Sequence, residues 1–488
     1  MYHDTSASSA SAHRVRVPVF QRLKNYVTGG NAATIDVVKA APPPSPLAPV
    51  DLTDPVQVSG VMDLAARIGD ILLSSGTGNN DAKAHIKAVA SAYGLLYTHV
   101  DITLNTITIF AHIGVEKRPV SVFRVVRRLS IDFSKLSEVD RLIRSIQAGA
   151  TPPDVAERTL DDLMAAPPPF GFRTSLFGWA LLAGAVAVLL GGGALVSVIS
   201  FLSAIVIMGG SAWLDARGLP PFFQNIFGGF IATVPAAIMY RWAQQSGVEL
   251  APGQIIASGI VVMLAGLTLV QAIQDGITGA PVTASARFFE TIMMTGGIVA
   301  GVVLGIETSA ALGITLPVYE SATSIGFSSA GVKVISGALA SAGFAIACYS
   351  EWGSVWVSGM TAAAGSFIYY FALVPLGVGP VVGVGIAATV IGLAGGLLAR
   401  RFQIPPLITA VAGITPLLPG LSIYRGMYAM MHDQLLVSYK LLVVALGTAS
   451  ALAAGVVLGE WVARKLRRPP TFNPYRRFRR RKKSAFSA

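Results

Sequence analysis

The sequence predicts a polytopic α-helical membrane protein. About ten transmembrane helices form two inverted five-helix repeats behind a small soluble α/β N-terminal domain. Composition is the first observation behind this prediction. Of 488 residues, 53% are hydrophobic and only 13% charged, and mean hydropathy is +0.62; soluble chains carry about 25% charged residues. The second is the placement of charge. Residues 174–463 hold eight Lys or Arg and nine Asp or Glu, whereas 464–488 hold eleven basic residues and no acid. The net charge of +12 therefore belongs to the tail, and no nucleic-acid partner is expected. The third is an internal echo. Ser258–Leu269 (SGIVVMLAGLTL) resembles Ala412–Ile423 (AGITPLLPGLSI), and Ala300–Gly305 (AGVVLG) recurs as Ala454–Gly459, each 154 residues further on. Two matches at one offset point to a duplicated unit, an arrangement common in membrane transporters.

Residues 1–50 are rich in Ser, Ala and Pro and read as a disordered lead. They hold no apolar core followed by a small-residue cleavage site, so no secretory signal is expected. Residues 51–173 read as a soluble cytoplasmic α/β domain and linker. Val56–Leu73 places Val61, Leu64, Ala65, Ile68 and Leu72 at helical spacing, with Asp54 as its cap. Asp81–Tyr93 reads as a second helix. Leu96–Asp101, Thr106–Phe110 and Val120–Val126 are β-branched and aromatic runs between turn residues, hence strands. Leu136–Gln147 and Pro153–Leu163 return to helix. His85, His99 and His112 lack metal-ligand spacing, and no phosphate loop or nucleophile elbow is present. The single cysteine, Cys348, excludes an internal disulfide. No cofactor or metal is expected.

Residues 174–311 and 312–463 read as the first and second repeats, and 464–488 as a basic cytoplasmic tail. A span needs about 20 mostly apolar residues. Such runs lie near 174–192, 194–213, 226–243, 255–272, 289–308, 331–349, 353–374, 378–399, 404–425 and 438–463. Ten passes return the tail to the side of the N-terminus, and Arg476, Arg477, Arg479, Arg480, Arg481, Lys482 and Lys483 favour the cytoplasm for it. Five is odd, so the second copy should run opposite to the first. Spans four and nine, which carry the echo, should then frame a midplane site.

Span nine supplies the first candidate residues. Pro416 and Pro419 each remove a helix hydrogen bond, which frees carbonyls at a depth where water is scarce. Thr415, Pro416, Pro419 and Gly420 are thus candidate substrate contacts, against the plainer alternative of a kinked packing helix. Thr268 and Ser422 occupy equivalent repeat positions; they could read a solute hydroxyl or bond back to their own helices. In the polar, glycine-rich segment after span four, Arg287 is a candidate for a substrate carboxylate or for neutralising Glu290. Asp275 and Glu307 are candidates for a coupling proton, because acids within spans mark proton relays. Glu460 reads as a structural partner of Arg464. Gly301 with Gly305, and Gly455 with Gly459, have the spacing of closely packed helices.

Longer stretches carry a resemblance: AAPPPSPLAPVDLTD (40–54), AARIGDILLSSGTGNND (65–81), YTHVDITLNTITIF (97–110), IDFSKLSEVDRLIRSIQAGATPPDVAE (131–157), IIASGIVVMLAGLTLVQAIQDGITGAPVTASARFFE (255–290), AGITPLLPGLSIYRGMYA (412–429) and AGVVLGEWVARKLRRPPTFNPYR (454–476). Over most of its length the chain resembles the threonine/serine exporter (ThrE) family of bacterial inner-membrane proteins. The resemblance implies a soluble N-terminal domain followed by about ten helices. It also implies export of threonine and serine across the inner membrane, driven by the proton motive force. Threonine, serine, protons and membrane lipid are the expected partners, and a homo-oligomer stays open. The resemblance brings no site residues with it. Two other readings compete: a sensor or hydrolase-like enzyme whose N-terminal domain is the active part, and a channel-like facilitator.

Overall fold

The computed structural model describes residues 50–112, 119–126, 132–149, 151–248, 250–263, 265–316, 327–431 and 433–466. The lead up to residue 49 and the basic tail from 467 lie outside the described residues.

The N-terminal elements are α1 (Pro55–Ser74), α2 (Asn79–Ala92), β1 (Thr98–Thr103), β2 (Thr106–Ala111), β3 (Val120–Val125), α3 (Phe133–Gln147) and α4 (Pro153–Ala165). Asp54 caps α1 by accepting from the Val56 N–H, with Pro55 opening the helix, where its missing donor is not needed. The strands form one antiparallel sheet in the order β1-β2-β3. Alternation along β2 turns Ile107, Ile109 and Ala111 inward, and α1 packs on β2 and β3. α1 comes close because Gly69 has no side chain: a methyl there would collide with Ile86 of α2 and stand 3.1 Å from Ile107. Gly76 (φ +87) ends the turn after α1 in the left-handed region that glycine adopts without strain.

Among the described residues twelve further helices follow: α5 (Phe172–Leu189), α6 (Ala194–Asp215), α7 (Pro221–Ser246), α8 (Pro252–Val262), α9 (Ala265–Thr278), α10 (Pro281–Ala311), α11 (Phe327–Ala347), α12 (Trp352–Ile368), α13 (Pro380–Phe402), α14 (Pro406–Ile414), α15 (Gly420–Met431) and α16 (Leu435–Leu466). A π turn, Tyr369–Leu373, extends α12, and a 3-10 turn, Thr415–Leu417, follows α14. Among the described residues, seven helices are long and apolar enough to cross a membrane, or eight if α8 and α9 count as one bent span. Their outer faces are apolar. On α6, for example, Val198, Leu202 and Val206 share one i, i+4 face and are each more than half exposed.

The structure departs from the sequence reading at span four. Instead of one straight helix over 255–272, residues 252–262 and 267–278 differ in direction by 50°. No proline marks this break, but it falls at the 154-residue offset of the sequence echo. α8 starts at Pro252 and α14 at Pro406, and α10 starts at Pro281 and α16 at Leu435. Each pair is 154 residues apart, so the bend falls where Pro416 interrupts the other copy. The segment after span four is also more regular than its composition suggests. α9 and α10 are joined by a two-residue turn, with Gly279 at φ +95 and Pro281 opening α10.

The glycine pairs pack as their spacing predicts, and in the same way in both halves. A methyl on Gly301 would collide with the Ile226 carbonyl of α7, and one on Gly305 would stand 2.7 Å from Thr233 Cβ. Gly455 and Gly459 of α16 press likewise on the Gly385 and Thr389 carbonyls of α13.

The N-terminal elements sit on one end of this helical body. The Phe133 N–H donates to the Cys348 carbonyl, just past α11, at 2.9 Å. The Phe133 ring meets Phe344 edge-on at 6.1 Å, and Trp179 meets Phe344 at 5.8 Å. Arg141 pairs with Glu351 before α12, and Arg144 bonds Gln403 after α13. Arg464 at the end of α16 approaches Asp81 at 3.6 Å.

Candidate functional site

The hairpin formed by α9 and α10 builds the centre of the site. α9 carries Thr268 and, two turns later, Asp275; α10 returns alongside with Thr283, Arg287 and Thr291 one turn apart. Arg287 Nη1 donates to Asp275 Oδ2 at 2.7 Å. Asp275 is 1% exposed and Arg287 9%, so this is an ion pair shielded from water, where charges interact strongly and depend on each other. Glu290, one turn beyond Arg287, points outward and is exposed. The Thr291 hydroxyl donates to the Arg287 carbonyl at 2.8 Å and stands 3.2 Å from the Thr268 hydroxyl. Thr268, Thr291, Arg287 and Asp275 thus form one continuous polar column.

The N-terminal elements close the end of that column. α2 begins at Asn79, whose N–H lies 3.4 Å from Asp275 Oδ1, and the positive end of the helix favours a carboxylate there. The Asn79 side-chain amide donates to Thr283 Oγ1 at 2.6 Å, and the Leu104 N–H of the β1–β2 turn donates to the same oxygen at 3.1 Å. Asn80 bonds the Thr278 carbonyl. The sequence reading did not single out Asn79 or Asn80. The available signal was the polar run Gly76-Thr77-Gly78-Asn79-Asn80, set between two amphipathic helices.

The span-nine residues lie elsewhere. Thr415 is buried and bonds back to the Val411 carbonyl at 2.9 Å, the plainer of its two readings. Pro416 sits in the 3-10 turn, and Leu418 is extended (φ −62, ψ 141), so the helix is interrupted between α14 and α15. Gly420, buried at the start of α15, packs on α8: a methyl there would collide with Val261 Cγ2 and stand 3.3 Å from the Ala257 carbonyl. The two broken segments are therefore in contact through α8 and α15. Pro419 is buried and Ser422 half-buried. Glu307 joins neither group. It is exposed and lies about 30 Å along α10 from Arg287, at about 1.5 Å per residue. Glu460 pairs with Arg464 at 3.4 Å as expected.

A second polar feature escaped the sequence reading. Ser350, Ser354 and Ser358 are buried, with hydroxyls that have no hydrogen-bond partner among the described residues. They recur every four residues, Ser350 just before α12 and Ser354 and Ser358 on it. Thr361, one turn further, stands against Gly413 of α14, where a methyl would lie 3.3 Å from its hydroxyl. Unpaired hydroxyls at this depth are costly, and their period of four was visible in the sequence.

Comparison with known proteins bears on the whole chain. The threonine/serine exporter family model ThrE matches residues 63–309, and a second model, "Threonine/Serine exporter, ThrE", matches residues 333–462. A "Threonine/serine exporter" of Corynebacterium glutamicum is 64% identical over 458 residues, covering 94% of this chain and 93% of that protein. A "Probable threonine/serine exporter" of Mycobacterium tuberculosis (strain ATCC 25618 / H37Rv) is 37% identical over 421 residues, covering 85% and 78%. No solved structure matches. With two exporter family models matched over residues 63–309 and 333–462 and nearly its full length aligned, the chain belongs to the threonine/serine exporter family.

Proposed function

We propose that this protein is a secondary transporter that exports threonine and serine across the inner membrane by proton antiport. The observation that carries the coupling step is the buried Asp275–Arg287 pair at the end of a bent span, covered by Asn79. A substrate entering from the cytoplasm inserts into the pair: its ammonium takes the ionised Asp275 and its carboxylate takes the Arg287 guanidinium. Thr268 and Thr291, next in the column, read the substrate hydroxyl. Protonation of Asp275 from the outer side removes the ammonium's partner and expels the amino acid, and loss of that proton to the cytoplasm restores the pair. The broken segment from Thr415 to Gly420, with Ser422, lines the other side of the route. One proton suffices energetically: a hundredfold gradient of a zwitterion costs about 2.7 kcal/mol, whereas a charge crossing 100 mV supplies about 2.3 kcal/mol and a pH difference of one unit adds about 1.4 kcal/mol.

In this reading the chain makes ten passes, with α8–α9, α12 with its π turn, and α14–α15 each counted as one, and the second five-pass unit is inverted relative to the first. Two contacts support the inversion. The start of α10 meets the N-terminal elements through Thr283, whereas its repeat counterpart α16 meets them through its end, at Arg464. The N-terminal elements then form a cytoplasmic domain, and both termini share that side. The test is uptake of labelled threonine into proteoliposomes under an imposed pH gradient. Asp275→Asn should abolish the response to the gradient while the protein stays inserted. Unchanged gradient-driven transport in that variant would remove Asp275 from the mechanism.

A further inference from the structure

We propose that the cavity between the N-terminal elements and the second half of the helical body binds a free α-amino acid, at a place separate from the Asp275–Arg287 pair. This rests on the export reading, because it makes the cavity a waiting site ahead of the transport route. Thr77, Asp81, Asp140, Arg144, Glu460 and Arg464 all line it. It offers about 80 Å³ to the centres of water molecules. One water needs about 10–15 Å³ on that measure, so a small amino acid displaces a handful of waters.

The lining carries both signs of charge. Arg464 is shared between Asp81 at 3.6 Å and Glu460 at 3.4 Å, both longer than the roughly 2.7–2.9 Å of a well-formed charged hydrogen bond. A carboxylate from solution that approaches more closely displaces one of these acids, and the displaced acid then accepts an ammonium. Thr77 is the independent observation. It is 7% exposed, and its hydroxyl has no hydrogen-bond partner among the described residues. Such a group carries a desolvation penalty that a polar ligand relieves. An apolar solute leaves that penalty in place, and a simple anion or cation leaves one sign of charge unmatched. A zwitterion meets all three groups.

The cavity is also wired to the transport column. Thr77 faces the cavity, whereas two residues later the Asn79 N–H faces Asp275 at 3.4 Å. A methyl on Gly78, between them, would stand 3.5 Å from the same carboxylate oxygen. Occupancy of the cavity therefore shifts a segment that directly covers the buried acid.

The experiment uses the full chain in lipid nanodiscs, with the single cysteine removed (Cys348→Ala) and a new thiol placed on the cavity wall (Leu407→Cys). The readout is the rate of maleimide labelling. Saturating L-threonine or L-serine should slow labelling about fivefold or more, while N-acetylthreonine and 1-amino-2-propanol, which lack the ammonium and the carboxylate, should leave it unchanged. Thr77→Val keeps the volume, has no hydrogen bond to lose and sheds an unpaired hydroxyl, so the unfolding midpoint should hold or rise. The half-protecting concentration should rise about tenfold, the worth of one hydrogen bond. Absence of protection, equal protection by either analogue, or an unshifted Thr77→Val would overturn the site. Export measured on the same protein separates the two readings: transport without protection overturns the cavity site alone, and protection without transport overturns the export reading alone.

Discussion

Replacing Asp275 and Arg287 one at a time and then together isolates what the buried pair contributes. Asp275→Asn leaves a guanidinium that is 9% exposed with no carboxylate at 2.7 Å. Arg287→Met leaves a carboxylate that is 1% exposed, with the Asn79 N–H at 3.4 Å as its remaining donor. Uncompensated buried charges of this kind cost about 3–5 kcal/mol. The double variant, Asp275→Asn with Arg287→Met, leaves no buried charge, and replacing a buried pair by neutral groups of similar volume is often close to neutral. The double variant should therefore be more stable than either single variant, by about 2 kcal/mol or more. Thermal unfolding of the purified chain, followed by the fluorescence of its six tryptophans, checks this order. Additive losses, with the double variant the least stable, would refute the reasoning, because the two side chains would then act independently. Transport supplies the complementary readout: the double variant should insert well and still fail to respond to a pH gradient.

Gly420→Ala forces a methyl into Val261 Cγ2 and should cost about 1–3 kcal/mol; adding Val261→Ala removes the obstructing atom and should recover most of that, measured as an unfolding midpoint. Asp132 caps α3 by accepting from the Ser134 and Lys135 N–H groups, so Asp132→Ala should lose about 1 kcal/mol by the same assay. Tyr93 is buried and donates to the Thr151 carbonyl at 3.0 Å; burial first, and then Asp154, raise its phenol well above the usual value. A raised pKa means that this contribution is complete below about pH 10 and is lost as pH climbs toward the folded-state value. Tyr93→Phe should flatten the decline in stability above pH 10, and an unchanged alkaline slope would count against the assignment.

Several of these features were legible in the sequence because they are local. Asp54 at the head of an amphipathic run, the alternation of Ile107 and Ile109, and the GxxxG pairs each follow from helix or strand periodicity. Asp275 and Arg287 stood out as charges in an apolar background. Their pairing did not, because sequence proximity favours Glu290 as the arginine's partner, and only the turn at Gly279 brings Asp275 back alongside. The bend between α8 and α9 has no proline to announce it and is recoverable only by projecting the second copy onto the first. Asn79 belongs to the site through docking of one part of the chain on another, and no local pattern encodes that. Glu307 illustrates the reverse: an acid close behind a repeated motif that the length of α10 carries far from the other candidates.

The N-terminal elements grip both halves of the helical body, and the two grips differ in kind. Toward the first half they use the buried amide of Asn79 on Thr283 and the exposed amide of Asn80 on the Thr278 carbonyl. Toward the second they seat the buried Phe133 on Phe344 and the Cys348 carbonyl and add a rim in which Arg141 pairs with Glu351, whose side chains are 54% and 38% exposed; such surface pairs contribute about 0–1 kcal/mol and weaken in salt. A clasp built this way loosens at its exposed rim while Phe133 and Asn79 stay seated. Raising the ionic strength should accordingly speed hydrogen exchange near Arg141 before it touches the start of α2. Salt therefore frays the outer edge of the attachment before its buried seat lets go.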